Sequence, residues 1–382
     1  MSHEEYMRRA LELARLGEGH VSPNPMVGCV VVKDDRVIAE GYHEKVGEFH
    51  AERNALLHST EDPAGADLYV TLEPCCHYGR TPPCTEIIIE KGIRRVFVAA
   101  LDVNPLVAGK GVRILQDAGI DVEVGLLEDE AKKLNEVFYH FFETRRPFVA
   151  MKYAMTLDGK IACYTGDSQW ITGPKARAFV HGLRKKYSSI LVGITTALKD
   201  DPMLNCRTEE GVDPVRLVAD SQLRLPTDSQ LAQTAKDIPT WVFTTEETLQ
   251  TAKGRERADA LNRLGVDVIP CGYAGSTDHH SRIDIPHLLD ILAERDIDSV
   301  LVEGGGTVNA SFLEAGLVDR VYAFLGPKLV GGEESRSPVE GNGVPRMEAA
   351  VELKDIELQH FDDDIMITGR VKKGDASCSQ DS

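Results

Sequence analysis

Residues 68–92 read LYVTLEPCCHYGRTPPCTEIIIEKG. The apolar run Leu68–Leu72 has the length of a buried strand, a polar and proline-bearing excursion follows, and Thr85–Lys91 reads as a short helix stopped by Gly92. Cys75, Cys76 and Cys84 crowd into this one stretch, although the chain has only eight cysteines in 382 residues. Eight is too few for a disulfide scaffold, and local crowding in a cysteine-poor chain points to metal.

The same strand-and-helix alternation continues outward. Upstream, residues 3–16 carry a helical pattern ended by Gly17, Gly28–Val32 reads as a buried strand, and Ala51–His58 as a helix. Downstream, Val96–Leu101 is a strand and the stretch near Lys110–Ala118 a helix. Alternation of this kind predicts an α/β layer fold. A polar seam at Glu143–Pro147 closes the segment, and a second alternation begins beyond it. Its strand candidates are Phe148–Met151, Ile190–Val192, Val215–Ala219, Trp241–Thr244, Val266–Ile269 and Ser299–Val302. Helical stretches near 174–187, 248–264, 285–296 and 308–315 separate most of them. The reading gives two α/β domains, 1–145 and 146–371, and a small-residue, polar tail over 372–382 expected to be disordered.

His50 and Glu52 open the helix that begins near Ala51, Cys75 directly follows Pro74 at a strand end, and Cys84 begins the next helix. One imidazole and two thiolates make a three-ligand zinc site with a fourth position open to water, the arrangement of catalytic and not of structural zinc. Zinc lowers the pKa of water in that position to roughly 7. Glu52 lies two residues beyond the histidine, outside the ligand set, and is placed to move protons there. Cys76 or His77 could stand in for Cys75 on spacing alone.

The formal net charge of −18 excludes a broad nucleic-acid footprint, which needs clustered Lys and Arg, but leaves room for a local phosphate pocket. The first twenty residues form an acidic amphipathic pattern and not a signal peptide, and no stretch approaches the ~20 apolar residues of a membrane span. A soluble cytoplasmic protein is expected.

The pairing of His-x-Glu with Pro-Cys matches the zinc-deaminase signature, except that eight residues rather than two separate the cysteines. HAE at 50–52, LEPC at 72–75, GRTPPC at 79–84 and Pro23-Asn24-Pro25-Met26-Val27-Gly28 together resemble the pyrimidine deaminase of bacterial riboflavin biosynthesis over about residues 1–145. That resemblance implies a cytidine-deaminase-like α/β/α domain with His50, Cys75 and Cys84 on zinc and Glu52 as proton shuttle. It also implies that Asn24 holds the pyrimidine edge and that His77 and Arg80 approach a ribose phosphate.

A second group of motifs lies downstream: Met155–Ala162 (MTLDGKIA), Ser168–Thr172 (SQWIT), Asp200-Asp201-Pro202-Met203-Leu204 with Arg207, and Glu303-Gly304-Gly305-Gly306-Thr307 before a helix. A glycine run between strand and helix lets backbone N–H groups approach a phosphate, although the run is not G-x-G-x-x-G. In this order the motifs resemble the riboflavin-pathway reductase domain over about 147–370. The likeness implies a dihydrofolate-reductase-like α/β fold and NADPH. It places Ala154, Trp170, Thr196, Asp200, Ser221, Gly305, Gly306 and Thr307 by the dinucleotide, and Ser168, Arg184, Leu204, Arg207 and Glu303 by the substrate. The whole chain thus resembles the bifunctional deaminase–reductase family of riboflavin biosynthesis. The expected partner is a pyrimidine ribotide, with no nucleic acid or membrane, and a homo-oligomer (dimer or tetramer) is expected.

Overall fold

The valine-rich run near the N-terminus forms β1 (Gly28–Lys33), and its side chains alternate between two apolar layers. β2 (Arg36–Tyr42) and β3 (Asp67–Val70) pair antiparallel with it, and β4 (Arg95–Val98) and β5 (Asp121–Val124) extend the sheet in parallel. The strand order is β2-β1-β3-β4-β5. The flanking helices are α1 (His3–Arg15), α2 (Ala51–Leu57), α3 (Cys84–Glu90), α4 (Lys110–Asp117), α5 (Glu128–Leu134) and α6 (Glu136–Thr144). Cys29 and Val31 face the layer holding Ala55 of α2, Ile88 of α3 and Leu115 of α4. Val30 and Val32 face the other layer, with Met7 of α1, Ala131 of α5 and Phe138 of α6. The result is an α/β/α sandwich over Met1–Arg146.

The second unit, Pro147–Ser382, has its own sheet of β6 (Phe148–Thr156), β7 (Ser189–Gly193), β8 (Val215–Ala219), β9 (Thr240–Thr244), β10 (Val266–Pro270), β11 (Ser299–Val302), β12 (Arg320–Gly326), β13 (Leu353–Phe361) and β14 (Asp364–Val371). The order is β10-β9-β8-β7-β11-β6-β12-β14-β13, parallel from β10 to β12 and antiparallel in the last two strands. Its helices are α7 (Pro174–Lys186), α8 (Ile194–Asp200), α9 (Gln230–Gln233), α10 (Glu246–Gln250), α11 (Ala252–Arg263), α12 (Ile285–Glu294) and α13 (Gly306–Glu314). Leu289 of α12 and Phe312 of α13 cover one face of the sheet, and Leu231 of α9 and Leu261 of α11 the other. This computed structural model describes residues 1–79, 81–104, 107–208, 211–272 and 282–373. Among them, no helix is long and apolar enough to cross a membrane. The expected disordered tail falls, from residue 374 on, outside the described residues.

The expected α/β layering is present in both units, and its edges differ from the sequence reading. β2 and β5 were not anticipated, nor were α5, α6, α8, α9 and the three C-terminal strands β12 to β14. The single helix expected over 248–264 is two, because Thr251 adopts an extended conformation and its side chain accepts from Gly254 N to cap α11. The helix expected from 308 begins at Gly306, so part of the glycine run is its first turn.

Two glycines set how closely helices approach the first sheet. A Cβ on Gly28 would lie 1.9 Å from the Ala10 carbonyl oxygen of α1. One on Gly41 of β2 would lie 2.5 Å from Ala55 N and 2.6 Å from Ala51 O, so α2 rests backbone-on-backbone against the strand. Since α2 begins immediately after His50 and carries Glu52, Gly41→Ala should displace both. The expected effect is a loss of about 1–3 kcal/mol in the stability of this unit, with faster zinc loss to a chelator; calorimetry and zinc release kinetics would check it.

Candidate active sites

His50 is the extended residue before α2, and Glu52 lies in the first turn of that helix with 3% of its surface exposed. Cys75 follows β3 in a loop, and Cys84 is the first residue of α3, fully buried. The eight-residue excursion between the cysteines closes on itself: Cys84 N donates to Cys75 Sγ at 3.3 Å and Thr85 N to Cys75 O at 3.2 Å. His50 Nδ1 stands 3.4 Å from Cys75 Sγ and 3.5 Å from Cys84 Sγ, and the three ligand atoms lie within 4.8 Å of one another. Tetrahedral N and S ligands at roughly 2.0–2.3 Å from a common ion are spaced by about these distances. Among the described residues this is the one such cluster, and it contains Cys75, not Cys76 or His77.

Electrostatics within the cluster follow from burial and mutual hydrogen bonds. The hydrogen bond with Cys84, followed by that with His50, holds Cys75 down at about 4, while Cys84, bonded to Cys75 and buried, is pushed up. Burial, then the negative charge of Cys75, raises Glu52 to about 7. A carboxyl at that value changes charge near neutrality, as a proton shuttle must.

The loop carrying Cys75 is fixed by its neighbour Glu73. This buried carboxylate accepts N–H bonds from Asp102 at 3.3 Å, Gly109 at 2.8 Å and Val112 at 3.2 Å, tying the ligand loop to the start of α4. Asn24 Nδ2 lies 3.4 Å from His43 Nε2, and His43 Nδ1 lies 3.1 Å from the Phe49 carbonyl. With Nδ1 donating to Phe49, Nε2 must accept from Asn24, and the Asn24 side chain is oriented. His43 also packs edge-on against His50, with centroids 5.3 Å apart. His77 Nδ1 is buried with no hydrogen-bond partner among the described residues, and Arg80 lies outside them. The sequence reading named neither His43 nor Asp102 as a site residue. Burial raises Asp102 to about 6 beside Glu73, Cys75 and His77. Neither residue belongs to a local motif; only the fold brings them to the cluster.

The second unit holds a cavity of about 410 Å³ at the C-terminal ends of β6, β7, β8 and β11. Of the expected residues, Ala154, Ser168, Thr196, Asp200, Glu303, Gly305, Gly306 and Thr307 line it. A Cβ on Gly305 would point into open space facing Thr196 Oγ1 at 3.9 Å, so the glycine leaves a cradle that a side chain would fill. Such a cradle, at the start of a nine-residue helix, fits a dinucleotide phosphate.

Glu303 sits at the cavity wall in a fork of charge. Arg184 donates to it through Nε at 2.9 Å and Nη2 at 3.0 Å, and Lys152 Nζ lies 3.6 Å away. Burial alone would raise Glu303, but Arg184 and Lys152 outweigh it and hold the carboxyl at about 2. Lys152, in β6, went unnoticed because the sequence reading ended that strand at Met151; like Lys199, Arg224 and Arg336, it lines the cavity. Trp170, Ser221, Arg184, Leu204 and Arg207 do not. Leu204 is 3% exposed and packs in the core with Ile190 and Val218, Trp170 is exposed beneath the Arg177 guanidinium, and Arg207 is exposed.

A strap over residues 328–341 joins the two motif regions. Leu157 N donates to Lys328 O, Ile161 N to Arg336 O, and the Asp158 carboxylate accepts from Val330 and Gly331 N. At its other end Glu340 N donates to Gly306 O, and Thr307 Oγ1 donates to Glu340 Oε2 at 3.0 Å.

The chain is similar throughout its length to known proteins. Residues 1–100 match the family model described as the cytidine and deoxycytidylate deaminase zinc-binding region, and 147–367 match the RibD C-terminal domain. The riboflavin biosynthesis protein RibD of Actinobacillus pleuropneumoniae is 50% identical over 367 residues, covering 96% of this chain and 95% of that protein. A solved structure of Acinetobacter baumannii RibD aligns with a TM-score of 0.83 at 37% identity, covering 97% of this chain and 99% of the other. A Thermotoga maritima structure, described as a diaminohydroxyphosphoribosylaminopyrimidine deaminase/5-amino-6-(5-phosphoribosylamino)uracil reductase, aligns at 0.81 and 40% identity, covering 97% and 98%.

The depressed Glu303 fixes a pH dependence. A carboxyl whose folded value lies below its unfolded one adds stability above the unfolded value and loses it as pH falls. For Glu303 that window runs from about 4.5 down to about 2. Glu303→Gln should flatten the acid limb of the second unit's stability curve over this window; denaturant melts at stepped pH would check it, and an unchanged limb would contradict the assignment.

Proposed function

Because the chain belongs to the RibD family of riboflavin biosynthesis proteins, we propose that its two sites act on one pyrimidine ribotide, first by deamination and then by reduction. The chain is a bifunctional riboflavin-biosynthesis enzyme, a hydrolytic deaminase joined to a reductase. Its first unit has the cytidine-deaminase-like fold and its second the dihydrofolate-reductase-like fold, with the deaminase assigned to residues 1–145 and the reductase to 146–371. The substrate is 2,5-diamino-6-(5-phosphoribosylamino)pyrimidin-4-one.

His50, Cys75 and Cys84 hold zinc in the first unit, and the glycine run holds NADPH in the second. Bound there, zinc supplies a water acidified to near neutrality and NADPH supplies a hydride. The observation that carries the deaminase assignment is the convergence of three ligand atoms beside a buried carboxyl raised to about 7. Glu52 takes the water proton and passes protons to the ring nitrogen and the departing ammonia, so an exocyclic amine becomes a carbonyl. Asn24, aligned through His43, holds the pyrimidine edge, and His77 and Arg80 meet the ribose phosphate.

In the reductase, C1′ of the ribose is reduced and the ring oxygen leaves as a hydroxyl, giving the ribityl chain. Ala154, Trp170, Thr196, Asp200, Ser221, Gly305, Gly306 and Thr307 contact the dinucleotide. Ser168, Arg184, Leu204, Arg207 and Glu303 contact the substrate, Leu204 through its backbone since its side chain is in the core. Glu303 and Asp200 serve to position the bound molecules. Arg184 and Arg207 suit the ribose phosphate.

The enzyme works in the cytoplasm as a homo-oligomer, a dimer or tetramer. Among the described residues no cysteine forms a disulfide, in keeping with a reducing compartment. The edge strand β13 exposes Ile356 at 51% and Leu358 at 66%, a surface that suits coverage by another copy.

Glu52→Gln should cut ammonia release from the diaminopyrimidine ribotide by about 10²- to 10⁴-fold. Zinc content and NADPH oxidation on the deaminated intermediate should stay near wild type. Following ammonia and NADPH separately checks this, and joint collapse of both activities in a folded, zinc-replete variant would overturn the assignment of independent sites.

A further inference from the structure

We propose that His181 is a positioning residue of the reductase, a wedge that sets Arg207 beside Arg184 for the ribose phosphate; this rests on the reading of those two arginines as phosphate ligands. Glu303 lines the second unit's cavity, whereas Arg184 and Arg207 do not. The phosphate end of the substrate therefore lies past the cavity wall, where the two guanidinium groups need a fixed spacing.

His181 lies in α7 one turn before Arg184, on the same helix face. Arg184 spends Nε and Nη2 on Glu303, and its Nη1 donates to Asn205 O at 3.3 Å. Arg207 Nε donates to Asn205 Oδ1 at 3.4 Å, so Asn205 links the two arginines. The neighbours of Asn205 are anchored as well. Leu204 packs in the core, Cys206 N donates to Asp213 Oδ1 at 2.8 Å, and Cys206 Sγ donates to the His181 carbonyl at 3.5 Å. The 204–207 segment is thereby laid along α7, with the His181 ring at the junction.

The charges around that ring show what it does there. Burial, then the charges of Arg184 and Arg207, lower the basicity of the imidazole, while the Asn205 backbone and Glu303 act the other way. A third cation between the arginines would repel both, whereas a neutral ring can face them with a lone pair. His181 Nδ1 is buried with no hydrogen-bond partner among the described residues. An unpaired buried polar atom costs about 1–3 kcal/mol, and a leucine in this place would avoid that cost. Folding alone does not call for a histidine at 181. Keeping two guanidinium groups at a set distance does, because it needs a side chain that is polar, neutral and of fixed shape.

The test is steady-state NADPH oxidation by the full-length protein with two substrates, 5-amino-6-(5-phosphoribosylamino)uracil and the same compound without its phosphate. Wild type should have the lower KM for the phosphorylated form, and Arg207→Gln should raise that KM alone. His181→Leu should likewise raise it by about 10-fold, with kcat and the KM of the dephosphorylated form within about twofold of wild type. His181→Gln, neutral and polar, should recover most of the loss. Should the leucine variant not fold, His181→Phe, which keeps a ring without polar nitrogens, takes its place. An equal rise for both substrates, a fall in kcat alone, no rise, or collapse of the fold in both apolar variants would overturn the proposal while Arg207→Gln still discriminates. If wild type and Arg207→Gln show no preference for the phosphate, the reading of the arginines fails and the proposal with it.

Discussion

Taking a carboxylate out of water costs several kcal/mol unless charge or hydrogen bonds replace the lost hydration. Both units accept that cost at the ends of their sheets, and each replacement yields a different kind of group. Glu73 is satisfied by three backbone N–H donors and serves as a clamp. Glu303 is satisfied by the Arg184 fork and Lys152, which hold it ionised far below neutrality. Among the described residues Glu52 has no cationic side-chain fork of this kind, and burial beside Cys75 carries it to about 7. Compensation, not residue type, decides whether a buried carboxyl is structural, a fixed charge or a proton carrier.

Backbone approach is the second shared device. In the first unit Gly28 and Gly41 allow α1 and α2 to sit directly on the sheet, and α2 thereby presents His50 and Glu52. In the second, a Cβ on Gly193 would lie 2.7 Å from Val308 Cγ2, and one on Gly304 2.6 Å from Val308 Cβ. Close packing of α13 on the strand ends leaves Gly305 open to the cavity. The strap 328–341 then bonds both to the 157–161 turn and to the first turn of α13, so two motifs far apart in sequence share one support.

What the sequence made legible was chemistry that few residue types can perform. Histidine, two cysteines and a nearby glutamate are scarce enough to stand out, and the unusual cysteine spacing was harmless because Cys84 and Thr85 fold back onto Cys75. The buried parallel strands were legible as continuous apolar runs. β2 and β5 were not, because each is partly exposed and carries charge, and β13 is exposed along nearly its whole length, leaving no apolar alternation to read. Lys152, His43 and Asp102 escaped because their meaning lies in tertiary neighbours. For Trp170, Ser221 and Arg207 resemblance supplied the role, and no property of the cavity would have suggested it.

The two reactions demand opposite electrostatics, which explains why the chain builds two sites instead of adapting one. Hydrolytic deamination moves protons at every stage, so its pocket needs a carboxyl able to change charge near pH 7, and burial beside Cys75 raises Glu52 to about that value. Reduction by a dinucleotide moves a hydride between carbon atoms, and the protein's part there is to hold two phosphorylated molecules still. Charges that titrate near neutrality would loosen that hold. Arg184 and Glu303, mutually bonded, stay ionised across the physiological range, and guanidinium groups cannot lose their proton there. A pocket tuned for the first task by desolvation would therefore spoil the second, whereas a pocket saturated with ion pairs would pin the proton that the first must move.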